Sequence, residues 1–331
     1  MKTYEHIPSD GFETQTERYK KIEALNLESF LVTEGSSLHV LQSLHSIGSR
    51  RDTLTSDVMK EAQRVGRVML AGNMSPLNGY GPKSLTIEER ISDAKSNIGN
   101  FLSQNNIDSS DVRIMRPERD YMTPLGVVNL DKDALAPDDT GLLRPDAAAD
   151  MMYTYNHDIV PAARPADCPV VFVTGETPQG SVTSLLHLAW LGVAHGYVEQ
   201  AKEAFDTLGL DWNTARVQIT ASAHAESYTF KGFDKYNPVE KFPDAKGMFV
   251  GLEETKNNEG EPAFNFGIDV AAEAYEQIVH KWGIDPYQVY LDTSDTASPT
   301  VGYSSHSRSH KNYDGVGGEN SRDIVLAKYA K

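Results

Sequence analysis

Residues 163–192 read ARPADCPVVFVTGETPQGSVTSLLHLAWLG, and this stretch decides the fold. Pro169–Val173 is an apolar run that reads as a buried β segment. A loop then turns the chain, and a second strand, Ser181–Leu188, follows. A helix is expected just beyond Trp190-Leu191-Gly192. The pattern places the only cysteine, Cys168, at the entrance of the first strand. His187 falls nineteen positions later, near the end of the second. Asp167 and Pro169 flank the thiol and keep it at a strand entrance, where a side chain can face a cleft.

Metal binding and nucleophilic attack both require the thiolate. Cys168 and His187 therefore read either as two ligands of a zinc site that needs a third, or as a nucleophile and its base. Spacing alone leaves both open. The plainer alternatives are a cysteine used as a small buried hydrophobe and a histidine satisfied inside a leucine-rich strand.

Outward from this core, strands and helices mix without strict alternation and without a repeat period. Thr86–Asn105 spaces Ile91, Ala94, Ile98, Phe101 and Leu102 as a helix does, and Thr86-Ile87-Glu88-Glu89 is a capping box. Val112–Met115 and Gly126–Leu130 read as strands, and Lys132–Pro145 as an acidic surface excursion. Asp146–Tyr155 and Asp158–Ala163 read as short extended pieces. Val193–Leu208 reads as one helix ended by Gly209. Val217–Ala221 is a strand, and Ser222–Lys231 a loop with His224 and Tyr228. A hairpin turns at Asn257–Gly260, and Ile268–Trp282 is an amphipathic helix. Further elements are expected at Thr14–Leu25, Ser29–Thr33, Ser56–Arg67, Val68–Ala71, Tyr287–Leu291 and Thr300–Tyr303. The expected organisation is an N-terminal extension or lid over residues 1–28 and a single mixed α/β domain over 29–331.

The chain has 331 residues, 31 basic against 47 acidic, for a net charge of −16. Such a surface repels phosphate backbones and anionic membranes, so no nucleic-acid partner is expected. No signal peptide or membrane span is visible, and a cytoplasmic location is expected. His306 and His310 share i,i+4 spacing but sit in a Ser- and Gly-rich run that reads as loop. With one cysteine and no His-x-His pair, the chain lacks the crowd of imidazoles that a multicopper oxidase needs.

The central stretch resembles the core of the bacterial laccase-domain family, also called polyphenol oxidase-like. That core runs A-D-C-x-P-V, then H-A-G-W-R/K-G. Ala166-Asp167-Cys168-Pro169-Val170 matches the first part, one residue shorter. His187-Leu188-Ala189-Trp190-Leu191-Gly192 matches the second at His, Trp and Gly, with Leu191 where the family has a basic residue. Asp146–Asp150, Ser227-Tyr228-Thr229, Gly302-Tyr303-Ser304 and Ser321-Arg322 resemble flanking family segments, so the similarity spans roughly residues 70–331.

The resemblance implies a compact, layered α/β sandwich with mixed sheets flanked by helices. It implies purine nucleoside phosphorylase and adenosine deaminase activity, with purine nucleoside and phosphate as small-molecule partners. It also implies a zinc ion, rather than copper, held by Cys168 and His187. The family's other ligand histidine falls at Arg116–Tyr121, which has none here, so Asp120 or Glu118 would replace it. Asp167 and Asp120 then become candidate acid–base groups. Arg164, Arg119 and Arg322 become candidate anion contacts, with Tyr228 at the substrate. The rival readings are a metal-free Cys–His hydrolase or deamidase, and a binding protein that kept the fold without the chemistry.

Overall fold

The computed structural model describes residues 17–23, 38–42, 44–46, 69–71, 86–117, 123–165, 167–231, 237–257, 259–297 and 324–329. Its strands are β1 (Leu38–Gln42), β2 (Leu44–Ser46), β3 (Met69–Ala71), β4 (Val112–Ile114), β5 (Val127–Asn129), β6 (Leu135–Pro137), β7 (Leu143–Pro145), β8 (Met151–Thr154) and β9 (Val160–Ala163). The remainder are β10 (Val170–Thr177), β11 (Gly180–His187), β12 (Arg216–Ile219), β13 (Thr229–Phe230), β14 (Phe249–Lys256), β15 (Pro262–Ile268), β16 (Val289–Leu291) and β17 (Val325–Tyr329). The principal helices are α1 (residues 17–23), α2 (Ile87–Gln104), α3 (Trp190–Ala194), α4 (Tyr197–Leu208) and α5 (Val270–Trp282).

Two six-stranded mixed sheets form the centre. One runs β1-β17-β9-β4-β7-β6, the other β16-β12-β10-β11-β8-β5. The apolar run of β10 follows directly from its place in this stack. Val170 and Phe172 pack with Leu185, Met152, Val325 and Ala327 between the two sheets. Val171 and Val173, pointing the other way, join α4 and α5 in the largest core. A strand covered on both faces cannot alternate apolar with polar, so it reads as continuous Val and Phe. On the outer face of the first sheet, Ile98, Phe101 and Leu102 of α2 pack on Val112, Val160 and Leu326. The order helix, sheet, sheet, helix is the mixed α/β sandwich expected from the sequence.

β10 and β11 pair antiparallel in a continuous register from Val170↔His187 to Thr177↔Gly180. The Thr86–Glu89 capping box forms at the head of α2, with Thr86 Oγ1 accepting from the Glu89 amide. Four expectations need adjustment. Lys132–Pro145 is no mere excursion, because β6 and β7 pair within it and β7 joins β4 in the first sheet. The single helix expected over Val193–Leu208 is two, broken where Gly196 takes φ of +82°. Within the loop expected over Ser222–Lys231, β13 pairs with β15. The N-terminal segment is also more than a cover, since Tyr19 and Ile22 of α1 belong to the largest core. The expected elements at Ser29–Thr33, Ser56–Arg67 and Thr300–Tyr303, and His306 and His310, lie outside the described residues.

Candidate functional site

Antiparallel pairing sets the site. β8 and β10 start, and β11 ends, at one edge of the second sheet, so residues far apart in sequence meet there. The chain just before β8 supplies Asp150, the chain just before β10 supplies Asp167 and Cys168, and the last residue of β11 is His187. β12 and β16 run parallel to each other, and the segments beyond them, residues 220–228 and 292–297, close the same edge.

His187 is held twice by Asp150. Its backbone amide donates to the Asp150 carbonyl at 2.8 Å, and its Nδ1 bonds Asp150 Oδ1 at 2.8 Å. Asp150 is fully buried. Burial alone would push the imidazole pKa down, but hydrogen bonds with Asp150 and with Cys168, and their negative charge, raise it to about 10. His187 is therefore an imidazolium at neutral pH, with Nδ1 on Asp150. The Cys168 thiol is half-buried. The buried Asp150 carboxylate holds the imidazole, and Cys168 lies close enough to it to raise its pKa, the set of groups that a nucleophile, its base and an orienting carboxylate require. It is equally the set of a ligating histidine steadied by an outer carboxylate.

The residue before the cysteine is strained. Asp167 takes φ of +77°, a left-handed conformation uncommon for a side chain other than glycine. Three bonds hold it there. Thr296 Oγ1 donates to Asp167 Oδ1 at 2.8 Å, while Ser222 Oγ and the Ala223 amide donate to its carbonyl at 2.7 and 3.1 Å. Asp295 in turn accepts from the His224 amide and from Ser227 Oγ, locking the two closing segments together. Strain held by surrounding bonds beside a reactive group is a recurrent feature of functional sites.

Of the residues proposed from sequence, Cys168, His187 and Asp167 come together here. Arg164 is turned elsewhere: Nη1 pairs with Asp138 Oδ2 at 2.7 Å and Nη2 donates to Thr140 Oγ1 at 2.6 Å. Tyr228 is half-buried beside Phe230, its ring centroid 5.2 Å away. Glu118, Arg119, Asp120 and Arg322 lie outside the described residues. Asp150, Ser222, Asp295 and Thr296 were not singled out as site residues. Nothing in the local sequence marks Ser222, Asp295 or Thr296, whereas Asp150 ends the Asp146–Asp150 segment that resembles the family and stands directly before an apolar strand.

Cys168 and His187 suit zinc as donors, and the Asp150 bond suits a ligating imidazole. Among the described residues, however, no group of three or more His, Cys, Asp or Glu side chains is placed to hold an ion. The described donors fall short of a complete metal site. Also among the described residues, no helix is long and apolar enough to cross a membrane.

Sandwich and site together define a laccase-domain protein. The chain belongs to the family described as multi-copper polyphenol oxidoreductase laccase, whose model matches residues 103–319. Two solved structures share the fold. Hypothetical protein YfiH of Bacillus licheniformis aligns with a TM-score of 0.52 at 17% identity, over 72% of this chain and 82% of its own. YlmD of Geobacillus stearothermophilus aligns with a TM-score of 0.51 at 15% identity, over 73% of this chain and 82% of its own. No curated protein matches the chain.

Proposed function

We propose that the chain is an enzyme whose chemistry resides in Cys168, His187 and Asp150, and that it cleaves purine nucleosides with phosphate. The observation that supports an enzyme is His187 held by a buried Asp150 carboxylate with Cys168 close beside it. The substrate class comes from the family resemblance. In phosphorolysis the glycosidic C–N bond breaks, phosphate oxygen bonds the sugar carbon, and the departing base takes a proton. Without a metal, an imidazolium held by Asp150 is a general acid for that proton; bound to zinc, His187 would be neutral and the proton would come from Asp167, the other acid–base candidate. Because Arg164 is already engaged by Asp138 and Thr140, the anion pocket falls to Arg119 and Arg322. Zinc is the proposed ion, with Cys168, His187 and Asp120 as protein ligands. As a Lewis acid it would polarise a reacting group, including the one displaced in adenosine deamination.

A second reading is favoured by the same set of groups: a metal-free Cys–His hydrolase. There the Cys168 sulfur bonds a carbonyl carbon, His187 passes its proton to the leaving amine, and water hydrolyses the thioester.

The test is turnover of inosine and adenosine, with and without phosphate, alongside metal analysis of the purified protein. Phosphate-dependent cleavage that disappears in Cys168→Ala and in His187→Ala is expected. No turnover of either nucleoside by the zinc-loaded wild type would sink the nucleoside reading. Rapid labelling of Cys168 by an electrophile after chelator treatment, without nucleoside turnover, selects the hydrolase. Labelling no faster than that of free glutathione, and insensitive to His187→Ala, would leave a fold without the chemistry.

A further inference from the structure

Helix α1 lies outside residues 103–319, the part of the chain that the family model matches, yet it reaches the closing segments of the site. Three anchors hold it. Arg18 is buried and donates from Nη1 to the Gly247 carbonyl at 3.2 Å and from Nη2 to the Ala272 carbonyl at 2.8 Å. Tyr19 donates its hydroxyl to Asp269 Oδ1 at 2.9 Å, the same oxygen that caps α5 through the Ala272 amide. Glu23 Oε1 accepts from Thr293 Oγ1 at 2.9 Å, just beyond β16. These contacts and the burial of Ile22 hold the described turns of the helix against the rest of the chain.

The ring of Tyr19 lies flat on the imidazole of His224, with centroids 4.3 Å apart and planes 16° from parallel. His224 directly follows Ser222 and Ala223, the two residues that bond the Asp167 carbonyl. Its own amide is tied to Asp295, next to the Thr296 that bonds the Asp167 carboxylate. Tyr19 thus presses on the segment beyond β12, and Glu23 holds the segment beyond β16. These are the two segments that keep Asp167 left-handed, and Asp167 sets the direction in which the chain enters Cys168.

We infer that Tyr19 is a positioning residue for Cys168. Through its stack on His224, α1 braces the Asp167 turn and so sets the approach of the thiol to His187. The inference rests on the reading of Cys168 and His187 as the reactive pair. Its basis is an unbroken series of named contacts from Tyr19 to the residue before the cysteine.

The test measures the rate constant for iodoacetamide alkylation of Cys168 in the full chain. Tyr19→Leu removes the ring and is expected to slow alkylation by about tenfold, the scale on which small displacements of a reacting group act. Tyr19→Phe loses the bond to Asp269 but keeps the stack, and is expected to restore most of the rate. Ile22→Ala, on the same helix and in the same core, is expected to lower Tm while leaving the rate unchanged. Wild-type alkylation in Tyr19→Leu overturns the inference, as does an equal slowing in Ile22→Ala. If wild-type Cys168 reacts no faster than glutathione and ignores His187→Ala, the proposed function fails on its own. The comparison of Tyr19→Leu with wild type remains readable in that case.

Discussion

At the residue scale, the turn at Asp167 governs the site. A left-handed backbone at a residue bearing Cβ carries strain of about 1–3 kcal/mol, which the bonds from Thr296, Ser222 and Ala223 offset. Asparagine tolerates this conformation and its side-chain oxygen can still accept from Thr296. Asp167→Asn is therefore expected to stay within about 1 kcal/mol of wild type in denaturant unfolding. Asp167→Ala keeps the strain and loses the acceptor, and is expected to be less stable by about 2 kcal/mol. Equal stabilities for the two variants would show that the side-chain bond does not hold the turn. The sequence marks Asp167 as the neighbour of a cysteine, within the family motif, and as a candidate acid–base group, but not as a strained turn. Its backbone conformation depends on Thr296, a residue 129 positions away, and no local pattern encodes that distance. The role of Asp150 was hidden for the same reason: its partner His187 is 37 positions on, and they meet only because β8 pairs with β11.

At the scale of elements, apolar periodicity was a sound guide wherever one element buries one surface. α2 and α5 follow their stripes, and the run of β10 reflects cover on two faces. The guide fails where pairing is carried by very short strands. β6 and β7 have three residues each, too few for alternation to register, and their hairpin is organised by Asp138 instead. Oδ1 of Asp138 accepts from the amide and hydroxyl of Thr140 at 2.8 and 2.6 Å, while Oδ2 pairs with Arg164. Burial alone would raise the Asp138 pKa, but the Arg164 guanidinium and the Thr140 bonds outweigh it and hold it below the ordinary carboxylate value. A depressed folded pKa gives stability that is present above the unfolded value and lost as pH falls through the folded one. Asp138→Asn is accordingly expected to cost about 3 kcal/mol at pH 7, since it strands a buried guanidinium. The gap from wild type should begin to narrow as pH falls through about 4, where the unfolded carboxylate protonates, and close only below the lower folded value. Urea unfolding of both proteins across that range checks it, and a gap independent of pH would rule the ion pair out as the cause.

At the scale of the whole molecule, the two sheets and their flanking helices form one stack to which α1 is joined by charge as well as by burial. Arg18 lies 3.8 Å from Glu273 and 3.8 Å from Glu276, all three buried. Burial pushes Glu273 up from the usual carboxylate value. Arg18→Met keeps the apolar stem and removes the cation, leaving carboxylates buried without it. A loss of about 3 kcal/mol is expected, and Arg18→Met with Glu273→Gln should recover part of it. A change under about 0.5 kcal/mol in the single variant would show that the Arg18 cation does not hold α1. The sequence by itself determined the mixed α/β class, the strands that carry Cys168 and His187, and the family. These depend on local periodicity and on a compact motif, both written in consecutive residues. Only the tertiary structure decided that Asp150 is the partner of His187, that Arg164 belongs to Asp138, and that an N-terminal tyrosine stacks beside the site. Each of those depends on strand pairing and packing between distant segments, where the choice among many carboxylates and arginines is made by geometry and not by spacing.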